Sequence, residues 1–408
     1  MSEIKHSQTE PDESDPPSQS NDQELNETPI QIFNSWDELN VSTELLRGIY
    51  ATGFEKPSDI QSKAIHPIIC GRDIIAQAQS GTGKTGSFTI GALSHVNVND
   101  NSTQVLIMGP THELAHQITS VITSLSSMMT GIRIKTIVGG SSIDSDVDDM
   151  RRNCPHVIVG CPGRVHDMIR RRYINARKIK LIILDEADEM LSVGFRDQIY
   201  NIFQHLDKNV QVALFSATLP NHIFQITNKF MRNPVKICVK SENLTLEGIK
   251  QYYVALHDDT DKIMTLKDLY KHITVAQCII YANSVPRVTR LYDFMKEDGF
   301  PVGCIHGKMD KSEREKVFKE FKCGGLRVLI SSDVTSRGID IQQVSIVINF
   351  DLPSNIENYL HRIGRSGRWG RKGTSINFIT RQDVSKMREI EAYYGTQIEE
   401  LPATLSLN

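Results

Sequence analysis

Short apolar runs recur along this chain, and each is followed by a stretch with helical spacing. The runs at 73–76, 105–108, 156–159, 181–184 and 212–215 are built from Ile, Leu, Val, Ala, Met and Phe, with at most one polar residue each. Strands that read as continuous apolar runs are buried on both faces, as in parallel sheets covered by helices. The stretches between them, such as 196–206, read as helices. This alternation predicts a doubly wound α/β domain over 33–235. It breaks at 236–248, which reads as a short linker, and then resumes with strands at 277–281, 302–306, 327–331 and 345–349. A second α/β domain is therefore expected over 249–408, with a cleft between the two. The length of 408 residues suits two to three domains, and no internal repeat of 20–50 residues is evident.

Charge is distributed unevenly. Residues 1–31 hold eight acids and one base, which leaves 45 bases against 41 acids in the rest. The first segment has no aromatic residue and is rich in Ser, Gln, Asn and Pro, so 1–32 reads as a disordered acidic tail. Its role is read as solubilising, with specific binding as the alternative. The faintly basic body tolerates a polyanionic partner. An apolar content of 39% excludes a wholly disordered chain. No apolar run approaches the roughly 20 residues of a membrane span, so no membrane association is expected. Residues 1–20 lack a basic n-region and an apolar h-region, which argues against a secretory signal, and their acids argue against a mitochondrial presequence. The seven cysteines are odd in number and none is spaced C-x-x-C. They read as reduced core thiols rather than a disulfide frame or a zinc site.

Three segments carry chemistry. The strand at 73–76 leads into Ala78-Gln-Ser-Gly-Thr-Gly-Lys-Thr85, a small-residue loop that opens a helix. Its backbone N–H groups can face a phosphate chain, with Gly81 and Gly83 allowing close approach. Lys84 offers a charge to the outer phosphates and Thr85 a hydroxyl ligand for Mg²⁺. Ala78 stands where the general pattern has glycine. One hundred residues on, the run 181–184 ends in Asp185-Glu-Ala-Asp188. Asp185 can hold Mg²⁺ through its water shell, and Glu186 can orient and deprotonate a water. An acidic helix start is the bland reading of the same residues. In the second half, His361-Arg-Ile-Gly-Arg-Ser-Gly-Arg368 makes a poor core segment and suits an anion. Arg365 and Arg368 are candidates for arginine fingers, which can contribute ~10³ to 10⁵ in rate. A basic nucleic-acid loop without a catalytic role is the alternative.

Taken in order, these segments resemble the DEAD-box ATP-dependent RNA helicases over about residues 33–405. The remaining supports are Gly53-Phe-Glu-Lys-Pro-Ser-Asp-Ile-Gln61, Pro110-Thr-His-Glu-Leu-Ala115, Gly139-Gly140, Pro162-Gly-Arg164, Ser216-Ala-Thr218, Ser332-Asp333 and Arg337-Gly-Ile-Asp340. Within the family the chain is most similar to the translation initiation factor 4A group and its nuclear exon-junction sibling, through Leu45-Leu-Arg-Gly-Ile-Tyr50, Phe195-Arg-Asp-Gln-Ile-Tyr200 and Leu244-Thr-Leu-Glu-Gly248 among others. The resemblance implies two tandem RecA-like domains with ATP and RNA bound across the interdomain cleft. It implies Gln61 on adenine, with Phe54 and Trp36 packing near the base. It implies Ser80, Gly81, Thr82, Gly83, Lys84 and Thr85 on the phosphates, with Gly338 and Asp340 at the phosphate end and the ribose. Asp188, Ser216, Thr218 and His361 would couple hydrolysis to closure. Pro110, Thr111, Gly140, Gly163, Arg164, Asn283, Arg314 and Asp333 would line a sequence-independent RNA track.

The chain also departs from the family pattern. His112 stands for arginine, Cys161 for threonine, Lys311 for glutamine and Ser332 for threonine, and Pro286 is unusual in its segment. These lie on the RNA side, which predicts intact ATP chemistry with weaker, more salt-sensitive RNA affinity. Arg170-Arg-Arg172 is expected beside the RNA-binding face. The expected activity is RNA-stimulated ATP hydrolysis with local, poorly processive unwinding of single-stranded and duplex RNA substrates. The alternative is an ATP-gated RNA clamp locked by partners, and a DNA helicase on the same plan is a third reading. By resemblance, the partners are scaffold and cofactor proteins of translation initiation, the place is the cytoplasm or the nucleus, and the chain is a monomer.

Overall fold

The structure, a computed structural model, describes residues 31–402 apart from Ser80, Ser141, Val193, Pro220, 240–248, 273–276, 334–343 and 367–372. Of residues 221, 222, 224, 271, 272 and 311 it describes the backbone alone. The expected site residues Ser80, Gly338, Asp340 and Arg368, and the side chain of Lys311, thus lie outside the described residues.

The first sheet contains β1 (Ile74–Gln77), β2 (Val105–Met108), β3 (Ile134–Ile137), β4 (Val157–Gly160), β5 (Leu181–Asp185), β6 (Gln211–Ser216) and β7 (Val235–Cys238). Their order is β3-β4-β2-β5-β6-β1-β7, and every pairing is parallel. The second sheet contains β8 (Ile249–Ala255), β9 (Cys278–Tyr281), β10 (Val302–Ile305), β11 (Val328–Ser331), β12 (Ile346–Asn349), β13 (Gly373–Ile379) and β14 (Glu399–Glu400). Its order is β10-β11-β9-β12-β13-β8-β14, again parallel throughout. The two-domain α/β expectation therefore holds.

Burial on both faces is visible residue by residue. Cys278 and Ile280 of β9, Val328 and Ile330 of β11, and Ile346 and Ile348 of β12 enter one apolar cluster. Their neighbours Ile279, Tyr281, Leu329 and Val347 enter another. Period-2 alternation between two apolar layers is what makes such strands read as unbroken hydrophobic runs. On one face of the first sheet, Val147, Met150, Val165, Met168 and Ile169 join Ile199 and Ile202 against Leu106, Ile158 and Ile182.

Several helices start with polar caps. Ser42 Oγ accepts from Leu45 N at 3.2 Å, and Thr111 Oγ1 from Leu114 N at 3.2 Å. Ser58 and Gln61 form a reciprocal capping box at the start of the helix Asp59–Ile69. No described helix is long and apolar enough to cross a membrane.

Three expectations need correction. The linker read as 236–248 begins inside β7, where Ile237 is buried and Val239 N donates to Gln77 O at 3.0 Å. As an edge strand, β7 exposes Lys236 and Cys238, so its composition looks like that of a connection. The cysteines are all free, but only Cys161 and Cys278 are buried, whereas Cys70, Cys238 and Cys323 are exposed. Arg170, Arg171 and Arg172 do not lie beside the RNA-side loops. They end the helix Pro162–Arg170, which starts at the C-terminal end of β4 and runs back to the opposite edge of the sheet.

Gly48 marks the closest approach of two helices. A methyl group there would collide with the Leu125 carbonyl at the end of the helix His112–Leu125. Gly48→Ala gains about 1 kcal/mol of helix propensity but forces a backbone shift that costs roughly 1–3 kcal/mol. We expect a net loss of stability, read as a lower urea midpoint with an unchanged slope.

Candidate active site and nucleic-acid track

In the first sheet, the loops after β1, β5 and β6 carry the candidate nucleotide residues. Those after β2, β3 and β4 carry the candidate RNA residues. Parallel α/β sheets bind ligands outside the carboxyl ends of their strands, and this sheet divides that edge in two.

After β1 the loop bends through Gly81 at φ 83° and Gly83 at φ 102°, conformations that side chains disfavour. A Cβ on Gly83 would press to within 2.8 Å of Gln61 Nε2 and 2.9 Å of Ser58 Oγ. Ser58 Oγ donates to Thr82 O at 2.7 Å, while Gln61 Oε1 accepts from Ser58 N at 2.8 Å and its Nε2 donates to Gly83 O at 3.4 Å. Gln61, expected on adenine, thus joins the base end of the site to the phosphate loop. Trp36 is fully buried and stacks on the half-buried Phe54, with centroids 6.1 Å apart and planes at 23°. It backs the Phe54 ring and offers no surface of its own to a base. Lys84 begins the helix Lys84–Ser94, buried, and donates from Nζ to Ala78 O at 2.7 Å. Thr85 is half-buried beside it.

Asp185 ends β5, and its Oδ1 accepts from Glu186 N at 2.9 Å. Burial pushes its carboxyl up to about 7; the charge of Glu186 adds to this and Lys84 opposes it. Glu186 sits at φ 51°, ψ 54°, a left-handed conformation that costs a side-chain-bearing residue about 1–2 kcal/mol. Its Oε2 is buried and finds no hydrogen-bond partner among the described residues. Strain and an unsatisfied acceptor at one carboxylate are marks of a functional position. Buried hard oxygen donors also suit Mg²⁺.

Asp188 connects three elements. Its Oδ2 accepts from Thr218 Oγ1 at 2.6 Å and lies 3.3 Å from Nε2 of His361, which belongs to the second domain. Both side chains of the Asp188–His361 contact are almost fully buried, at 4% and 0% exposure. Thr218 N donates to the buried Ser216 Oγ at 3.3 Å. Glu186, Asp188 and His361 place one ligand atom each within 4.8 Å of one another. All four residues expected to couple the domains are brought together here.

The candidate RNA residues follow the strand ends. Pro110 and Thr111 follow β2, Gly140 follows β3 with φ 83°, and Gly163 and Arg164 open the helix after β4. Arg164 Nη1 donates to Asp146 Oδ2 at 3.1 Å. Arg314, in the helix Lys311–Lys322 of the second domain, pairs with Glu113 of the first at 3.1 Å. Asn283 follows β9 and Asp333 follows β11.

The segment expected to make a poor core is in part deeply buried. Arg362 and Arg365 are among the largest fully buried side chains. Arg362 donates to Asp333 Oδ1 at 2.6 Å, Asp351 O at 2.7 Å, Asn283 Oδ1 at 2.7 Å and Asn349 Oδ1 at 3.3 Å. It fixes two of the expected RNA residues, a role the sequence reading missed. Composition marks arginine as a surface residue, and only the packing of Tyr281, 5.1 Å below the guanidinium, shows otherwise. Arg365 Nε donates to His361 O at 3.0 Å.

The chain matches two protein families. Residues 58–226 match the DEAD/DEAH box helicases and 261–370 the helicase conserved C-terminal domain. It is 51% identical over 376 residues to the ATP-dependent RNA helicase eIF4A of Pyricularia oryzae, covering 92% of this chain and 94% of that one. It is 50% identical over 376 residues to the eukaryotic initiation factor 4A of Caenorhabditis elegans, covering 92% and 93%. Among solved structures, S. cerevisiae Dbp5 bound to RNA and ADP BeF3 superposes with a TM-score of 0.84 at 37% identity, covering 91% of this chain and 96% of that one.

Two outcomes follow from the site. Because the folded Asp185 holds its proton more tightly than an unfolded aspartate near 3.9, its ionisation opposes folding as pH rises from about 4 towards 7. Asp185→Asn should abolish ATP hydrolysis yet raise the melting temperature of the nucleotide-free protein at pH 7.5, with the gap narrowing at pH 5. Separately, Cys161 stands at the N-cap of the helix Pro162–Arg170 and makes no capping bond. Cys161→Thr should stabilise the protein by roughly 0.5–1 kcal/mol in urea melts and tighten RNA binding in a filter-binding assay.

Proposed function

This chain belongs to the DEAD/DEAH box helicase family, and from that premise we propose how its residues carry out RNA-stimulated ATP hydrolysis and local duplex opening. The observation that carries the reading is the buried contact of Asp188 with Thr218 and His361, which joins the hydrolytic end of the first domain to the second.

ATP enters at the loop Ala78–Thr85. Phe54, backed by Trp36, packs near adenine. Gln61 turns its amide from Gly83 to the base edge, so base recognition loosens or tightens the phosphate loop beside it. Lys84 exchanges the Ala78 carbonyl for phosphate oxygens, a charge-assisted contact stronger than the one it leaves. Mg²⁺, held by Thr85 and by Asp185 partly through water, would neutralise charge on the outer phosphates. Glu186 orients the attacking water and takes its proton while the bond from the γ-phosphorus to the bridging oxygen breaks, giving ADP and phosphate. Arg365 and Arg368 approach the γ-phosphate from the second domain. Neither domain holds all of these groups, so hydrolysis depends on closure, and closure depends on RNA bridging both halves.

RNA lies across the loops after β2, β3 and β4 and those after β9 and β11, met by Thr111, Gly140, Arg164, Asn283, Arg314 and Asp333. Backbone and sugar contacts of this type carry no base code. A strand bent to fit both domains no longer stacks as a duplex, so opening is local. At about 50% identity to initiation factors 4A, we place the chain in translation initiation, in the cytoplasm, as a monomer working with initiation scaffold proteins.

Steady-state ATPase with and without single-stranded RNA tests the mechanism. Glu186→Gln should reduce the RNA-stimulated rate by about 100-fold or more while keeping RNA binding in the presence of a non-hydrolysable ATP analogue. Retention of the stimulated rate would remove Glu186 from the chemistry.

A further inference from the structure

Two neighbouring helices of the first domain connect its RNA-side loops to the opposite edge of the sheet. The helix Ile143–Arg152 starts just after Gly140, and the helix Pro162–Arg170 carries Gly163 and Arg164 in its first turn. They lie on the same face, sharing one apolar cluster, and Arg164 meets Asp146 between their first turns. Running antiparallel to the strands, both end at the N-terminal edge, where Arg151, Arg152, Arg170, Arg171 and Arg172 are all exposed. Arg177 joins them from the segment just before β5. The sheet order β4-β2-β5 keeps that segment within roughly 10 Å of the edge of β4. Close at hand, Asp167 takes both Arg170 at 2.8 Å and Arg171 at 3.0 Å, one carboxylate for two guanidiniums.

Arg172 adds an independent mark. The helix Pro162–Arg170 ends in a motif where Tyr173 N donates to Met168 O and Arg172 N to Ile169 O, each at 2.9 Å. This places Arg172 at φ 62°, the position that glycine fills best. An arginine there costs about 1 kcal/mol of backbone strain and presents a charge that glycine would not. Helix C-termini favour cations by only a few tenths to 1 kcal/mol and only in the last turn, and Arg172 and Arg177 lie beyond it.

We infer that this arginine edge is a second, sequence-independent binding surface for the phosphodiester backbone of RNA that has left the interdomain cleft. The distance supports it. A helix of nine residues spans about 13 Å at ~1.5 Å per residue, so a strand leaving the track at Gly163 and Arg164 reaches the edge within two or three nucleotides. Guanidiniums suit phosphates through paired N–H donors. The edge carries no chemistry of its own. It raises the residence of flanking RNA on the first domain while the cleft opens. The inference rests on the RNA reading above, and the test separates the two.

The full chain is titrated, with a non-hydrolysable ATP analogue, against two single-stranded polyuridylates. One of about six nucleotides is long enough only to cross the loops after β2, β3, β4, β9 and β11, about 24 Å at roughly 4.8 Å per strand. The other, of about 30, extends beyond them. In Arg170→Gln/Arg171→Gln/Arg177→Gln, affinity for the long RNA should fall by about tenfold at low salt, and its logarithmic salt slope should shrink by about 2. Affinity for the short RNA should not change. Arg172→Gly should weaken long-RNA binding by about twofold or more while raising the melting temperature, which excludes misfolding as the cause. If long- and short-RNA binding fall together, or neither falls, the surface is not an RNA site. If the unmodified protein does not bind the short RNA, the RNA reading of the cleft itself fails.

Discussion

One carboxylate oxygen, Asp188 Oδ2, holds the functional arrangement together. It accepts the Thr218 hydroxyl and faces His361 in a region closed to water. Asp188 stands three residues beyond the end of β5 and Thr218 two beyond β6, while His361 lies in the other domain. The phosphate loop follows β1, which pairs with β6, so this contact stands one strand away from it. Leaving a buried carboxylate short of a hydrogen-bond partner costs roughly 1–3 kcal/mol or more, above the usual cost of breaking a surface pair. The contact joins the two domains in this structure. It is expensive to leave half-made.

The second domain depends on a different kind of anchor. Arg362 lies fully buried above the ring of Tyr281 and spends its donors on Asp333, Asn283, Asn349 and a backbone carbonyl. Asn349 passes the network to Asn377, Tyr359 and Gln251 deeper in the sheet. A buried polar network is stabilising only when its members are satisfied. Here it sets the loops after β9 and β11 rigidly beside the cleft, so Asn283 and Asp333 are oriented before any ligand arrives.

Much of this was legible in the residues, for physical reasons that also explain what was not. Strands made wholly or mostly of apolar residues, such as β2, β5 and the edge strand β10, stand out in the sequence, β2 to the residue. The interior strands β8 and β13 are not legible, because Lys, Gln, Thr, Ser and Asn interrupt them, and polar residues hide the edge strands β3 and β7 in the same way. The phosphate loop and the acids after β5 were readable because their chemistry needs adjacent residues. The partner of Asp188 was readable only through family resemblance, since His361 is 173 residues away. Arg362 was misread because an arginine is rarely buried unless it is paired, and its four partners come from distant segments. The place of Arg170, Arg171 and Arg172 needed the direction of one helix, which a local motif does not carry.

The division of the first sheet edge explains how the departures from the family pattern can cluster on one side. The nucleotide loops share buried carboxylates whose ionisation depends on their neighbours, so a substitution there disturbs several groups at once. The RNA-side loops are built differently. Thr111 already caps a helix, Arg164 already holds Asp146, and Arg314 already holds Glu113 across the cleft. Both arginines have a carboxylate in place, so under the proposed RNA reading a phosphate contact there would be an exchange with a small net gain. Exchange spread over many contacts tolerates the loss of one charge, as at His112, and relies on the rigid geometry of both domains to sum small gains. On the proposed track, RNA affinity would then belong to the closed pair of domains more than to any single arginine.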